Sequence, residues 1–241
     1  GRAITALGLL LGESTLVVGD ELGGVSGWFA ALPPGGGAPR LTLVHRLAAH
    51  DSAVVALVPS LRSKAVFSLD RNGTLHADQF TDQGGAELAA RWDAASVDHL
   101  EALPATKAAV LAGKTTVAVL LPGAALSCRC PMPPARALRD AGVEVALGTD
   151  LNPGSSMTAA LPLMMHLGCT QLRLSCEEVW RAVTCVAARS LGLTDVGRLA
   201  PGCRADLVVF DAPDYRYVPY HYGDNHARLV VKSGKIVWDR R

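Results

Sequence analysis

Three polar side chains stand at or directly after segments of strand-like sequence: His76, His99 and Asp150. In a βα barrel the reactive side chains project from the carboxyl ends of the strands, so these positions are the first candidates for a site. A carboxylate at Asp150 could bind a metal ion and accept a proton from metal-bound water. The structural alternatives are that Asp150 caps the following turn and that each histidine has a packing role.

The elements that would position these side chains alternate between strands and helices from about residue 75 onward. Strands are expected at residues 95–98, 117–121 and 143–147, with helical segments at 85–92 and 134–141. This alternation predicts βα units and a parallel sheet, which is the α/β fold class.

A second helical signal precedes the last part of the chain. Ser175-Cys176-Glu177-Glu178 is typical of a capping box and predicts a helix running towards Leu191. Residues 197–202 break the helical pattern and Leu207–Phe210 begins a strand, so a separate β-rich tail is expected over residues 201–241.

Residues 1–74 follow a different pattern of short strands and tight turns. A shift of about 50 residues aligns Ile4–Leu7 with Val54–Leu57, and Asp20-x-x-Gly23 with Asp70-x-x-Gly73. We therefore predict an all-β segment of propeller-like hairpins, in which each Asp-x-x-Gly is a turn rather than a metal site. Pro33–Gly37 would be the loop between two hairpins.

A weak resemblance accompanies this first segment. Val18-Gly19-Asp20 and Val25-Ser26-Gly27-Trp28-Phe29 are similar to the soluble β-rich region of phosphate ABC-transporter permeases. These residues contain no motif that performs chemistry.

The second part of the chain carries a more specific resemblance, over about residues 76–241. Five motifs follow one another in the order seen in imidazolonepropionases, which are metal-dependent amidohydrolases of histidine degradation. The motifs are His76–Phe80, Gly84–Ala90, Ser96–Glu101, Val117–Ala124 and Gly148–Gly154. The resemblance implies a partial TIM-like βα barrel over residues 75–200 and a small β-sandwich tail over residues 201–241.

The resemblance also implies a role for particular residues and a reaction. The reaction is hydrolytic opening of the ring of 4-imidazolone-5-propanoate to N-formimidoyl-L-glutamate, with zinc or iron as the cofactor. By position, the implied metal ligands are His76 and Asp150, the catalytic residues Asp150 and His99, and the substrate-binding residues Gln79, Asn152, Gly154 and Ser155.

The family's metal site includes a His-x-His pair, and this sequence contains none. A catalytic zinc normally takes three protein ligands, and only His76 and Asp150 are matched. Two alternatives therefore stay open. One is another cyclic amidohydrolase, because these enzymes share the metal scaffold and the substrate loop determines which substrate is bound. The other is a non-catalytic fusion whose β-rich first segment is the functional module.

Composition limits the partners and the compartment. Lysine plus arginine (23) nearly balances aspartate plus glutamate (22), which gives no electrostatic case for a nucleic acid or membrane partner and favours a small-molecule substrate. The apolar runs are far shorter than the roughly 20 residues of a membrane helix, and the first residues do not resemble a secretory signal.

Six cysteines in a chain of this size favour reduced thiols in the cytoplasm. About four βα units leave open sheet edges, which would allow a homo-oligomer.

Overall fold

A computed structural model describes most of the chain. The described residues are 2–10, 15–31, 38–48, 50, 52–59 and 66–240, so the predicted loop Pro33–Gly37 lies outside them. None of the helices in these segments has the length and hydrophobicity needed to cross a bilayer.

The first part of the chain forms strands, as predicted. Four of them make an antiparallel sheet in the order β1-β2-β3-β4, called here the N-terminal sheet. The strands of this part are β1 (Ile4–Leu9), β2 (Thr15–Asp20), β3 (Gly24–Ala31), β4 (Arg40–Ala48), β5 (Val54–Pro59), β6 (Val66–Asp70) and β7 (Thr74–Ala77).

The predicted internal repeat is confirmed by the strand register. Ile4 of β1 pairs with Asp20 of β2, and Val54 of β5 pairs with Asp70 of β6. Each pairing has an irregularity at the same place, directly after Ile4 and directly after Val54. The two hairpins are therefore built alike.

The two Asp-x-x-Gly sequences form turns, also as predicted. In each, the aspartate Oδ1 accepts the backbone N–H groups two and four residues later at 2.9 to 3.0 Å. Gly23 and Gly73 have φ of 84° and 81°, a conformation that glycine adopts at low cost. The carboxylates of Asp20 and Asp70 are used by their own turns.

The propeller-like arrangement is not confirmed. β6 pairs with β7, so the second hairpin joins a different sheet instead of stacking beside the first as a blade. The physical reason is that β7 has a parallel neighbour on its other side, and β6 covers the edge that would otherwise be open.

The second part has the predicted α/β character. A six-stranded sheet runs in the order β10-β9-β8-β7-β6-β5, and the pairs among β7, β8, β9 and β10 are parallel. The elements after β7 are α1 (Gly85–Trp92), β8 (Ser96–His99), a 3-10 helix (Ala105–Leu111), β9 (Val117–Leu120), α2 (Pro122–Cys128), α3 (Ala135–Asp140), β10 (Val145–Leu147), α4 (Leu161–Thr170), α5 (Cys176–Ala182) and α6 (Cys185–Ser190).

The core lies between this sheet and its helices. Leu75 of β7 and Val97 of β8 are fully buried and directly paired, and both belong to the main apolar cluster. Because side chains alternate along a strand, the next pair, His76 and Asp98, faces the opposite side of the sheet.

The prediction of one helix running from Cys176 towards Leu191 is wrong, because the structure has two shorter helices there. The capping box at Ser175 is present, but α5 ends at Ala182 and α6 begins at Cys185. Thr184 between them has φ −126° and ψ −96°, and its hydroxyl donates to the carbonyl of Trp180. A β-branched residue whose side chain bonds the preceding turn interrupts the backbone ladder here.

The tail forms a sheet but not the expected sandwich. Its apolar residues stay 39 to 64% exposed because, among the described residues, no second sheet covers them: Val208, Val209, Ile236, Val237 and Trp238. The tail elements are β11 (Leu207–Phe210), α7 (Tyr217–Tyr220), β12 (Ala227–Lys232) and β13 (Lys235–Asp239), with the three strands antiparallel in that order.

Candidate active site

One cavity of about 600 Å³, called here the strand-end cavity, lies at the carboxyl ends of the parallel strands. β7, β8 and β10 end beside it, which is where reactive groups are expected in sheets of this kind. The residues that the sequence predicted for a site all line it: His76, Gln79, His99, Asp150, Asn152, Gly154 and Ser155.

Strand register brings His76 to an acidic partner. Its Nε2 atom lies 3.6 Å from Oδ2 of Asp98, the residue opposite it on β8. Burial raises the pKa of Asp98, against the effect of the His76 charge and of a hydrogen bond from Ser96. His76 itself is half-buried, with 30% of its side chain exposed towards the cavity.

His99 is held by a buried carboxylate. Its Nδ1 atom lies 3.4 Å from Oε1 of Glu101, and both side chains are almost fully buried. Burial alone would lower the pKa of His99, but the hydrogen bond to Glu101 and the charges of Glu101, Asp150 and Asp98 outweigh it and raise that pKa. His99 is therefore biased towards its protonated form, which can donate to a developing oxyanion.

The loop after β10 presents Asp150 to the cavity. Asn152 closes this loop: its Oδ1 accepts the backbone N–H groups of Gly154 and Ser155 at 2.8 and 2.9 Å. Its Nδ2 donates to the Asp150 carbonyl at 2.7 Å. The carboxylate of Asp150 accepts the Ser155 hydroxyl at 3.2 Å and, among the described residues, no backbone N–H. Asn152, and not Asp150, is thus the residue that caps the turn.

Three residues that line the cavity have a strained backbone conformation. Asp78, His99 and Asp150 have positive φ values of 54°, 80° and 49°, and all three line it. Residues other than glycine adopt this region at a cost, and such residues often occur where a side chain must be aimed at a ligand.

Several residues around the site were not singled out from the sequence. Asp78 lies between His76 and Gln79, and its carboxylate accepts the backbone N–H groups of Gln83, Gly85 and Ala86 at 2.8 to 3.2 Å. The sequence signal for this role is the glycine-rich segment that follows Asp78, because the backbone N–H groups at the start of α1 need a hydrogen-bond acceptor.

The first part of the chain also contributes to the cavity. Val25 and Arg46 of the N-terminal sheet line it, together with Phe67 and Ser68 of β6. Their position depends on the packing of the two sheets, which local sequence does not encode.

Other histidines lie away from the cavity. His166 donates its Nδ1–H to the Pro219 carbonyl at 3.2 Å, and its ring centroid lies 4.0 Å from that of Tyr222. His226 lies in the tail with Nε2 2.8 Å from the carbonyl of His221.

The residues present do not complete a zinc site. His76 and Asp150 are suitable donors and face one cavity, but a catalytic zinc normally needs a third protein ligand. Among the described residues, the one group of three donor side chains whose ligand atoms converge within 4.8 Å is Asp78, Asp82 and Glu87. Lys107 already bonds Asp82 and Glu87 at 2.5 and 3.1 Å, so two of the three carboxylates have a cationic partner within the protein.

Comparison with known proteins agrees with this architecture. Residues 71–238 match the amidohydrolase family. The imidazolonepropionase of Rubrobacter xylanophilus is 50% identical over 164 residues, which is 68% of this chain and 40% of that protein. The imidazolonepropionase of Bacillus velezensis is 45% identical over 168 residues, 69% of this chain and 40% of that protein. The chain thus spans about 40% of the length of these relatives.

Solved structures show the same fold at low identity. A zinc-bound adenosine deaminase from Xanthomonas campestris has a TM-score of 0.56 and 22% identity, covering 69% of this chain and 45% of that chain. A zinc complex of atrazine chlorohydrolase from Arthrobacter aurescens has a TM-score of 0.56 and 20% identity, covering 68% of this chain and 43% of that chain. These matches give no support to the permease resemblance of residues 1–74. With the family match extending over residues 71–238, the chain belongs to the amidohydrolase family.

Proposed function

We propose that the strand-end cavity binds 4-imidazolone-5-propanoate and opens its ring by hydrolysis to N-formimidoyl-L-glutamate. The observation that carries this proposal is the convergence on a single cavity of the seven residues to which the sequence resemblance assigns roles in an imidazolonepropionase site. They come from three separate strand ends, so their meeting is a property of the fold. The 50% identity of a relative named imidazolonepropionase supports the choice among cyclic amidohydrolases.

In the proposed reaction, water adds to the ring carbonyl carbon and the bond from that carbon to the ring nitrogen breaks. The carboxylate of Asp150 accepts a proton from the attacking water, since it faces the cavity and, within the described part of the chain, its hydrogen-bond donor is the Ser155 hydroxyl. Protonated His99 donates a hydrogen bond to the carbonyl oxygen as negative charge develops there. The leaving nitrogen takes the proton that Asp150 received.

Gln79 and the Asn152–Ser155 loop hold the ring in this proposal. The side chain of Gln79 makes no hydrogen bond to another described residue, so its amide is available to a ligand in the cavity. Asn152 makes three hydrogen bonds to the backbone of this loop, which define its conformation. A metal would add water activation, but His76 and Asp150 alone do not complete its site, and no step here passes through it.

The test is ring opening of the imidazolone by the purified chain, followed by ultraviolet absorbance with and without added zinc or iron. Asp150→Asn and His99→Asn should each lower turnover by about 100-fold or more, the usual effect of removing a general base or oxyanion donor. His166→Gln is the matched control, because His166 is a half-buried histidine outside the cavity.

A second measurement separates binding from turnover. Calorimetry with imidazole-4-propanoate, which carries the ring and acid but cannot be opened, reports occupation of the cavity. Turnover that persists in Asp150→Asn would contradict the assigned base. A chain that neither binds this ligand nor opens the imidazolone would contradict the proposed function.

A further inference from the structure

Arg46 places a positive charge at the strand-end cavity from outside the family match. It lies on β4, opposite Ser26 of β3, and lines the same cavity as His99 and Asp150. The amidohydrolase match begins at residue 71, so no counterpart of Arg46 is assigned by it.

Arg46 is the only lysine or arginine among the described residues that line the cavity. The acidic groups there are Asp78 and Asp150. Asp78 is already bound by three backbone N–H groups, whereas Asp150 belongs to the proposed reacting centre. An anionic ligand in this cavity therefore has one permanent cation to pair with, and it lies on the side formed by the N-terminal sheet.

The guanidinium of Arg46 is available for such a ligand. The residue is exposed, and it makes no ion pair or hydrogen bond through its side chain to any other described residue. By contrast, Arg2, which precedes β1, pairs with Asp20 at 3.1 Å. The guanidinium of an arginine can donate two parallel hydrogen bonds to the two oxygens of a carboxylate, which fixes the orientation of the ligand as well as adding affinity.

We propose that Arg46 binds the carboxylate of the substrate and makes the cavity selective for acidic over neutral ring compounds. The inference rests on the proposed function, whose substrate joins a ring to a short acid chain. The acid end would lie towards β4, and the ring carbonyl would lie towards His99 and Asp150.

The experiment compares two probes by calorimetry: imidazole-4-propanoate and its neutral amide, imidazole-4-propanamide. Each is titrated into the wild-type chain and into the Arg46→Ala, Arg46→Lys and Arg40→Ala variants. Arg40 is the matched control because it is an exposed arginine on the same strand that does not line the cavity.

Arg46→Ala should weaken binding of the acid about tenfold or more, as expected for loss of a charge-assisted contact. The affinity for the amide should stay unchanged. Arg46→Lys should recover part of the affinity, and Arg40→Ala should change neither probe. Added salt should weaken binding of the acid only in proteins that keep a cation at position 46, which are those with Arg46 or Lys at that position.

Equal affinity for acid and amide in the wild type, or an Arg40→Ala effect as large as that of Arg46→Ala, would overturn the proposal, and so would a wild type that binds neither probe. The ring-opening assay is read separately. An Arg46-dependent preference for the acid without turnover would leave the Arg46 assignment standing and remove the proposed hydrolysis. Turnover without that preference would leave the proposed hydrolysis standing and remove the Arg46 assignment.

Discussion

The imidazole ring of His50 lies edge-on against that of His76, with the ring centroids 5.1 Å apart. His50 is 8% exposed, its Nε2 atom lies 2.8 Å from the Ser68 hydroxyl, and its backbone N–H donates to the Gly23 carbonyl at 3.1 Å. His50, which lies between β4 and β5, is therefore fixed directly behind a proposed site residue. This contact couples the first part of the chain to the strand-end cavity.

Replacing His50 with alanine should lower the free energy of unfolding by about 1 to 3 kcal/mol, because Ser68 loses a buried partner and His76 loses a packing neighbour. The measurement is a double-mutant cycle, in which urea denaturation gives the free energy of unfolding of the wild type, His50→Ala, Ser68→Ala and the double variant. We expect a coupling of about 0.5 kcal/mol or more, as for residues in direct contact. Strictly additive effects would show that the hydrogen bond seen in the structure contributes nothing in solution.

The limits of sequence reasoning show in particular residues. α1 and β11 have the predicted bounds, because an alanine-rich helical segment and a short apolar run after a Gly/Pro break are local signals. His76, His99 and Asp150 were expected at strand ends and lie there. His50 and Arg46 were not expected near them, because their positions follow from the pairing of β6 with β7 and from sheet packing. These are contacts between distant segments that no local pattern reports.

Asp78 should be important for the start of α1. The N-cap residue Gly84 offers no side chain, and the Asp78 carboxylate accepts the three N–H groups near the helix start instead. Asp78→Ala should therefore destabilise the chain by about 2 kcal/mol, towards the upper range for loss of a cap. Asp82→Ala is the control, because Asp82 accepts one nearby N–H and pairs with Lys107 at the surface. The measurement is thermal or urea unfolding followed by circular dichroism, and equal losses in the two variants would refute the assigned role.

Glu101 should set the protonation of His99. Burial opposes the charged imidazole, but the Glu101 hydrogen bond and nearby negative charges hold the pKa of His99 above its ordinary value. Glu101→Gln removes the nearest of these charges, so the pKa of His99 should fall. Histidine-detected NMR over a pH series measures it directly, with His166 as an internal reference away from the cavity.

The raised pKa of His99 also determines how the stability of the protein depends on pH. A histidine whose pKa is raised by folding stabilises the protein fully below the unfolded value of about 6.5, and this stabilisation is lost as the pH rises through the folded value. The wild type should therefore exceed Glu101→Gln in stability by more at pH 5.5 than at pH 9. A difference that is constant across this range would mean that Glu101 acts on packing and not on the charge of His99.

Glu178 should make the stability of the α3 and α5 pair sensitive to acid. Hydrogen bonds from Arg136 are the main cause that lowers the pKa of Glu178 from 4.5 to about 2, with Arg139 and the Ser175 N–H adding to them against the effect of burial. A carboxylate whose pKa is lowered by folding stabilises the protein above its unfolded pKa, and this contribution is lost as the pH falls from about 4.5 towards 2. The side chain remains 21% exposed, so solvent screening should reduce the contribution to about 1 to 2 kcal/mol.

The variant that tests this is Glu178→Gln, which keeps a hydrogen-bonding oxygen for the capping box but removes the charge. Urea unfolding at pH 7 should show it less stable than the wild type by about 1 to 2 kcal/mol, and the difference should shrink towards zero near pH 2.5. Asp140→Asn is the matched control, because Asp140 pairs with the same Arg136 at 3.0 Å while its side chain is 68% exposed. That variant should change stability by less than about 0.5 kcal/mol at either pH. Equal losses of stability in the two variants would mean that the exposed Asp140 stabilises the protein through Arg136 as much as Glu178 does. The two hydrogen bonds from Arg136 to Glu178, at 2.9 and 3.0 Å, argue against that outcome.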